Sequence, residues 1–90
     1  MIDLDSIIKD GNVLVYFYAD WCARCKVLSK EIDKLKNISI FKVDVDKNRN
    51  LCKKYGVMSV PTLIYFKKDG TYTSKNGLLS YDELLSFIKK

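Results

Sequence analysis

The chain has 90 residues, 48% of them hydrophobic and 30% charged, with a formal net charge of +5, three cysteines and no histidine. That is enough for one domain near the small end of chains that fold unaided, and no stretch is proline-rich, repetitive or low in complexity, which excludes disordered and solenoid classes. The missing histidine removes His-based catalysis and mixed Cys/His zinc sites together.

In chain order, Leu4, Ile7 and Ile8 fall at helical spacing within residues 3–10, and Gly11 is placed to close that helix in a left-handed conformation. Residues 13–18 form a β-branched and aromatic run with no polar alternation, the pattern of a strand buried on both faces. From Ala23 to about Leu35 the positions Val27, Leu28, Ile32 and Leu35 share one face of a second helix. Residues 38–44 read as the next strand and 51–55 as a short helix stopped by Gly56. Residues 62–66 and 71–73 flank Lys67-Lys68-Asp69-Gly70, whose Asp-Gly marks a hairpin turn. Ser80-Tyr81-Asp82-Glu83 is a capping box opening a last helix that faces inward through Leu84, Leu85, Phe87 and Ile88.

The order α-β-α-β-α-β-β-α implies an α/β fold over residues 1–90, a mixed sheet with helices on both faces. The right-handed crossover rule makes the first two strands parallel neighbours, and the hairpin supplies antiparallel strands beside them.

Trp21-Cys22-Ala23-Arg24-Cys25 lies where the first strand ends and the second helix begins. Unpaired backbone N–H groups and the helix dipole stabilise an anion there, which favours the thiolate of Cys22. Cys25, three residues on, shares the helix face within disulfide reach but deeper in the structure. One sulfur is thus presented to a partner and the other held behind it, as dithiol exchange requires. The competing reading of a CxxC is half a zinc site, but that needs two more ligands and only Cys52 remains besides carboxylates.

Residues 15–22, Val-Tyr-Phe-Tyr-Ala-Asp-Trp-Cys, resemble the strand that leads into the Trp-Cys-x-x-Cys site of the thioredoxin family. Lys42-Val43-Asp44-Val45-Asp46 is similar to that family's following strand, and residues 55–62 to the segment carrying its cis-proline; Gly70 and Gly77 fall where it keeps its hairpin and groove glycines. The resemblance covers nearly the whole chain. It implies a thioredoxin-like fold, with Cys22 as nucleophile and Cys25 as resolving thiol. Pro61 is then expected to be cis, setting the backbone of Val60 to pair with a substrate strand, with Trp21, Val60, Pro61 and Gly77 lining a shallow groove.

Departures from the family pattern carry their own expectations. Ala23-Arg24 replaces the usual Gly-Pro between the cysteines, and a positive Arg24 beside the thiolate is expected to make the disulfide modestly more oxidising. Tyr16 stands where the family commonly buries an aspartate that helps deprotonate the resolving cysteine. Lys42, which often pairs with that aspartate, is retained, and its expected role is to stabilise charge on Cys25 or shuttle a proton through water. Lys30 replaces a helix-kinking proline. No room precedes the first helix for the family's first edge strand, so four strands are expected rather than five. Cys52 reads as a small half-buried filler.

The resemblance further implies disulfide-containing protein substrates, a thioredoxin-reductase-type electron donor, and no cofactor beyond a redox-active Cys22–Cys25 disulfide. Neither metal nor membrane is expected: the longest uncharged apolar run, residues 13–19, is far short of a bilayer span. Nucleic acid is not expected either, because the basic residues, all lysine except Arg24 and Arg49, are scattered among acidic ones. The acidic start, without a secretion-signal pattern, gives a cytoplasmic protein as the expectation, and a monomer is expected as well. A glutathione-linked glutaredoxin is the alternative within enzymes, though the residues after Pro61 lack its Gly-Gly and acidic pattern. A binding module without turnover is the alternative outside them.

Overall fold

The apolar run after Gly11 becomes β1 (Val13–Tyr18), buried along nearly its whole length. It is flanked on one side by β2 (Ser39–Asp44), parallel and in register from Val13↔Ser39 to Tyr18↔Asp44. On the other side lies β3 (Thr62–Phe66), antiparallel from Val13↔Phe66 to Phe17↔Thr62, and β3 in turn pairs with β4 (Tyr72–Asn76). The sheet order is β2-β1-β3-β4. This is a computed structural model, and it describes residues 3–89. Met1, Ile2 and Lys90, the ends of the expected 1–90 domain, lie outside the described residues.

Side chains alternate along β1, so its two faces build two cores. Leu14 and Tyr16 pack with Leu28 and Ile32 of α2 (Ala23–Ile32) and with Leu84 and Phe87 of α4 (Tyr81–Lys89). Val13, Val15 and Phe17 pack with Leu4 of α1 (Leu4–Ile8) and against Leu51, Cys52 and Tyr55 of α3 (Arg49–Tyr55). The order α-β-α-β-α-β-β-α and the four-stranded mixed sheet between helices are those read from the sequence.

Local chemistry sets most boundaries. The Asp3 carboxylate caps α1 by accepting the Ser6 N–H at 3.3 Å and the Ser6 hydroxyl at 2.8 Å. Gly11 sits at φ +72°, and a Cβ there would lie 2.5 Å from Lys68 Cα, so glycine is required both by the turn and by the hairpin pressed against it. Gly56 ends α3 in the left-handed conformation at φ +68°, with Val57 N–H reaching back to the Cys52 carbonyl at 2.8 Å. The capping box of α4 is reciprocal: Ser80 N–H donates to Glu83 Oε1 at 3.0 Å and Glu83 N–H to Ser80 Oγ at 3.2 Å.

Several element bounds differ from the sequence reading; the first helix, read over residues 3–10, runs only from Leu4 to Ile8. The second helix stops at Ile32, because Lys34 and Leu35 donate to the carbonyls of Glu31 and Ile32, tightening the last turn before Asn37 reverses the chain at φ +63°. Leu35 is still buried, whereas Val27 is exposed rather than part of the inward face. The third helix begins two residues earlier, at Arg49. The last strand is longer and later than residues 71–73. Its polar residues form an edge strand, and pairing with the whole of β3, not its own composition, makes it extended.

Candidate active site

Cys22 is the N-cap of α2, with extended backbone (φ −91°, ψ 110°), and its sulfur accepts the Cys25 N–H at 3.2 Å. The sharp exit from β1 is held by Cys22 N–H donating to the Ala19 carbonyl at 3.1 Å. Cap and helix end together aim partial positive charge at the sulfur. Cys22 and Cys25 are both free thiols.

Exposure corrects one expectation. Cys22 is only 7% exposed and Cys25 2%, so the outer cysteine is nearly buried instead of standing clear. The reason is the cap itself, which turns the Cys22 side chain in along the helix end. Burial raises the Cys25 thiol above its ordinary range, and its hydrogen bond with Cys22 adds to this, while the Ala19 backbone and the Tyr16 hydroxyl pull the other way. Cys25 is thereby kept protonated while the outer sulfur is free.

Around this pair the structure gathers most of the expected groove. The Val60–Pro61 peptide bond is cis. Val60 packs against the buried cluster that holds both cysteines, Pro61 is buried, and the Gly77 N–H donates to the Pro61 carbonyl at 2.9 Å. Trp21 is 70% exposed and lines the same depression as Val60, together with Met58, which is 95% exposed. Ala23 and Arg24 are both exposed on the first turn of α2. Cys52 is half-buried at the wall of the depression, and burial raises its thiol.

Lys42 is placed on a surface carboxylate. It neighbours Tyr16 in the sheet register, but its ammonium pairs with Asp33 Oδ1 at 3.2 Å and its side chain is 41% exposed. The end of α2 offers a carboxylate at the surface, and the flexible stem of Lys42 follows it outward.

Three site features escaped the sequence reading. The buried Tyr16 hydroxyl donates to the Cys25 carbonyl at 2.7 Å and accepts from Ser29 Oγ at 3.3 Å, so it is more than core filler. The Trp21 indole N–H donates to Asp46 Oδ2 at 2.8 Å, which fixes an otherwise free ring. Met58 extends the apolar wall. Only Met58, within two residues of Val60, carried a local signal.

Among the described residues no group of three or more His, Cys, Asp or Glu side chains is placed to hold a metal, and no helix is long and apolar enough to cross a membrane.

The family model for thioredoxin matches residues 3–90. Among curated relatives, a "Thioredoxin 2" of Plasmodium falciparum is 39% identical over 88 residues, covering 92% of this chain, which spans only 56% of that protein. A thioredoxin of Pseudomonas aeruginosa is 34% identical over 89 residues, covering 93% of this chain and 82% of the relative. Among solved structures, a mutant thioredoxin from Halobacterium salinarum superposes with a TM-score of 0.84 at 36% identity, over 97% of this chain and 80% of that one. With the strand–CxxC–helix geometry in place, the chain belongs to the thioredoxin family of thiol–disulfide oxidoreductases.

Proposed function

We propose that Cys22 is the attacking sulfur and Cys25 the resolving sulfur in a reversible exchange with protein disulfides. The Cys22 thiolate attacks one substrate sulfur; the other leaves as a thiolate and takes up a proton. Cys25 then gives up its proton and attacks Cys22, the second substrate sulfur departs as a thiol, and a Cys22–Cys25 disulfide forms. Two electrons pass to the substrate. The dithiol itself is the redox group, with no flavin, nucleotide or metal in the cycle.

The observation that carries this reading is a sulfur capping a helix N-terminus with a second, buried sulfur one turn behind it. Trp21, Val60, Pro61 and Gly77 form the seat for an extended substrate segment, whose backbone pairs at Val60. Ala23 and Arg24 set the potential, the arginine favouring the reduced form. Lys42, whose ammonium rests on Asp33 in a solvent-exposed pair, stabilises charge on Cys25 or shuttles a proton to it only when that weak pair opens. The protein acts as one domain and a monomer in the cytoplasm, passing electrons from a thioredoxin-reductase-type donor to disulfide-containing proteins.

Insulin-disulfide reduction with dithiothreitol tests the reading. The wild type should accelerate precipitation of the insulin B chain and Cys22→Ser should not. Equal rates with and without the protein would leave a binding module instead.

A further inference from the structure

We propose that Tyr16 is a positioning residue for the resolving step: its hydroxyl, supported by Ser29, donates a hydrogen bond to the Cys25 thiolate as that thiolate forms.

This deepens the exchange reading and rests on it. Cys25 is buried, so ionising it beneath the mixed disulfide needs a donor at the sulfur. Tyr16 comes from the central strand on the face that receives α2 and is itself fully buried. Its hydroxyl bonds the Cys25 carbonyl at 2.7 Å, on the same residue as the sulfur, and hydrogen bonding from Tyr16 favours the ionised form of that thiol. A phenolic O–H is a rotor, and the Cys25 carbonyl, inside α2, keeps its intrahelical acceptor role when the hydroxyl turns away. The Ser29 hydroxyl, one turn further along α2, donates to the Tyr16 oxygen at 3.3 Å and polarises the O–H toward Cys25.

The same burial excludes a general-base role. Desolvation holds the Tyr16 phenol far above the ordinary tyrosine range, so it remains protonated wherever exchange runs and can only donate. Among the described residues, the groups facing Tyr16 and Cys25 supply no competing charge. Cys22 is the titratable neighbour from the same helix, Tyr18 stacks on Tyr16 from β1, α4 presents Leu84 and Phe87 with Tyr81 at the rim, and Lys42 of β2 is turned to Asp33. The step balances without an outside reactant. The Cys25 S–H and the Cys22–substrate S–S bonds break, the Cys22–Cys25 bond forms, and the proton ends on the departing substrate sulfur.

The test is stopped-flow reaction with 5,5′-dithiobis(2-nitrobenzoate) in a Cys52→Ser background, across the neutral and alkaline range. A first release of thionitrobenzoate reports attack by Cys22, and a second, unimolecular release reports attack by Cys25. Tyr16→Phe keeps the ring and should leave the first phase unchanged. It should slow the second about tenfold near neutral pH and move its midpoint up by about one pH unit, the effect of losing one hydrogen bond to a charged sulfur. Ser29→Ala should shift the same midpoint upward by less. A second phase with wild-type rate and midpoint in Tyr16→Phe overturns the proposal, as does equal slowing of both phases, which marks a merely structural effect. Absence of both phases in the unsubstituted site would instead remove the exchange reading itself.

Discussion

Trp21 sits beside Cys22 with most of its ring in solvent, yet its indole is held by a residue twenty-five positions away, Asp46. Asp46→Ala removes the acceptor and lets the ring leave the groove wall. A hydrogen bond to a charged partner contributes about 1.5–3 kcal/mol when protected. This one lies at the surface, where water competes, so about 0.5–1 kcal/mol is the appropriate range. At tenfold per ~1.4 kcal/mol, kcat/KM for insulin should fall roughly two- to fivefold. The loss should appear as a higher KM with kcat little changed, because the ring seats the substrate and takes no part in sulfur exchange. A small aromatic disulfide, too short to lie along the groove, should react at the wild-type rate. Asp46→Asn keeps a carboxamide oxygen at the same place and should recover most of the loss. Equal losses on both substrates, or an insulin KM that does not move, would refute the assignment of Asp46 as the clamp on Trp21.

Gly11→Ala should destabilise the fold by more than the roughly 1–2 kcal/mol of a left-handed non-glycine residue, since the added methyl meets the Lys68 backbone; urea denaturation measures it, and a loss below that range would mean that the hairpin yields. Arg24→Pro should make the disulfide more reducing by roughly 5–20 mV, which corresponds to an exposed charge pair of about 0.2–1 kcal/mol. Equilibration against glutathione decides this, and a wild type no more oxidising than the variant ends the idea. Asp5 accepts hydrogen bonds from Lys54 at 2.7 Å and Tyr55 at 2.9 Å, which hold its carboxyl below the usual carboxylate range and tie α1 to α3. Its folded pKa lies under the unfolded one, so its contribution is present at neutral pH and fades as pH falls through the folded value. Thermal melts of Asp5→Asn should therefore show a lower midpoint at neutral pH that converges on the wild type in acid, and a gap independent of pH would contradict this.

Features decided within a few residues of chain were legible in the sequence. The apolar run of β1, the Gly56 stop, the Ser80–Glu83 box and the CxxC at the strand–helix junction each follow from local sterics, hydrogen bonding or periodicity, and the structure repeats them. They were enough to give the order of elements, the mixed sheet and the dithiol chemistry. What the sequence left open depends on partners distant along the chain. The polar segment 72–76 is a strand only because β3 lies beside it, and Lys42 faces outward only because the end of α2 brings Asp33 within reach. Trp21 is steadied by Asp46 across twenty-five residues, and the Tyr16 hydroxyl meets Cys25 only once α2 has docked on β1. Spacing along a chain sets which face of an element a side chain occupies. Which atom it finds there is set by how the elements pack, and that is where this site acquires its donors and the burial of its two cysteines.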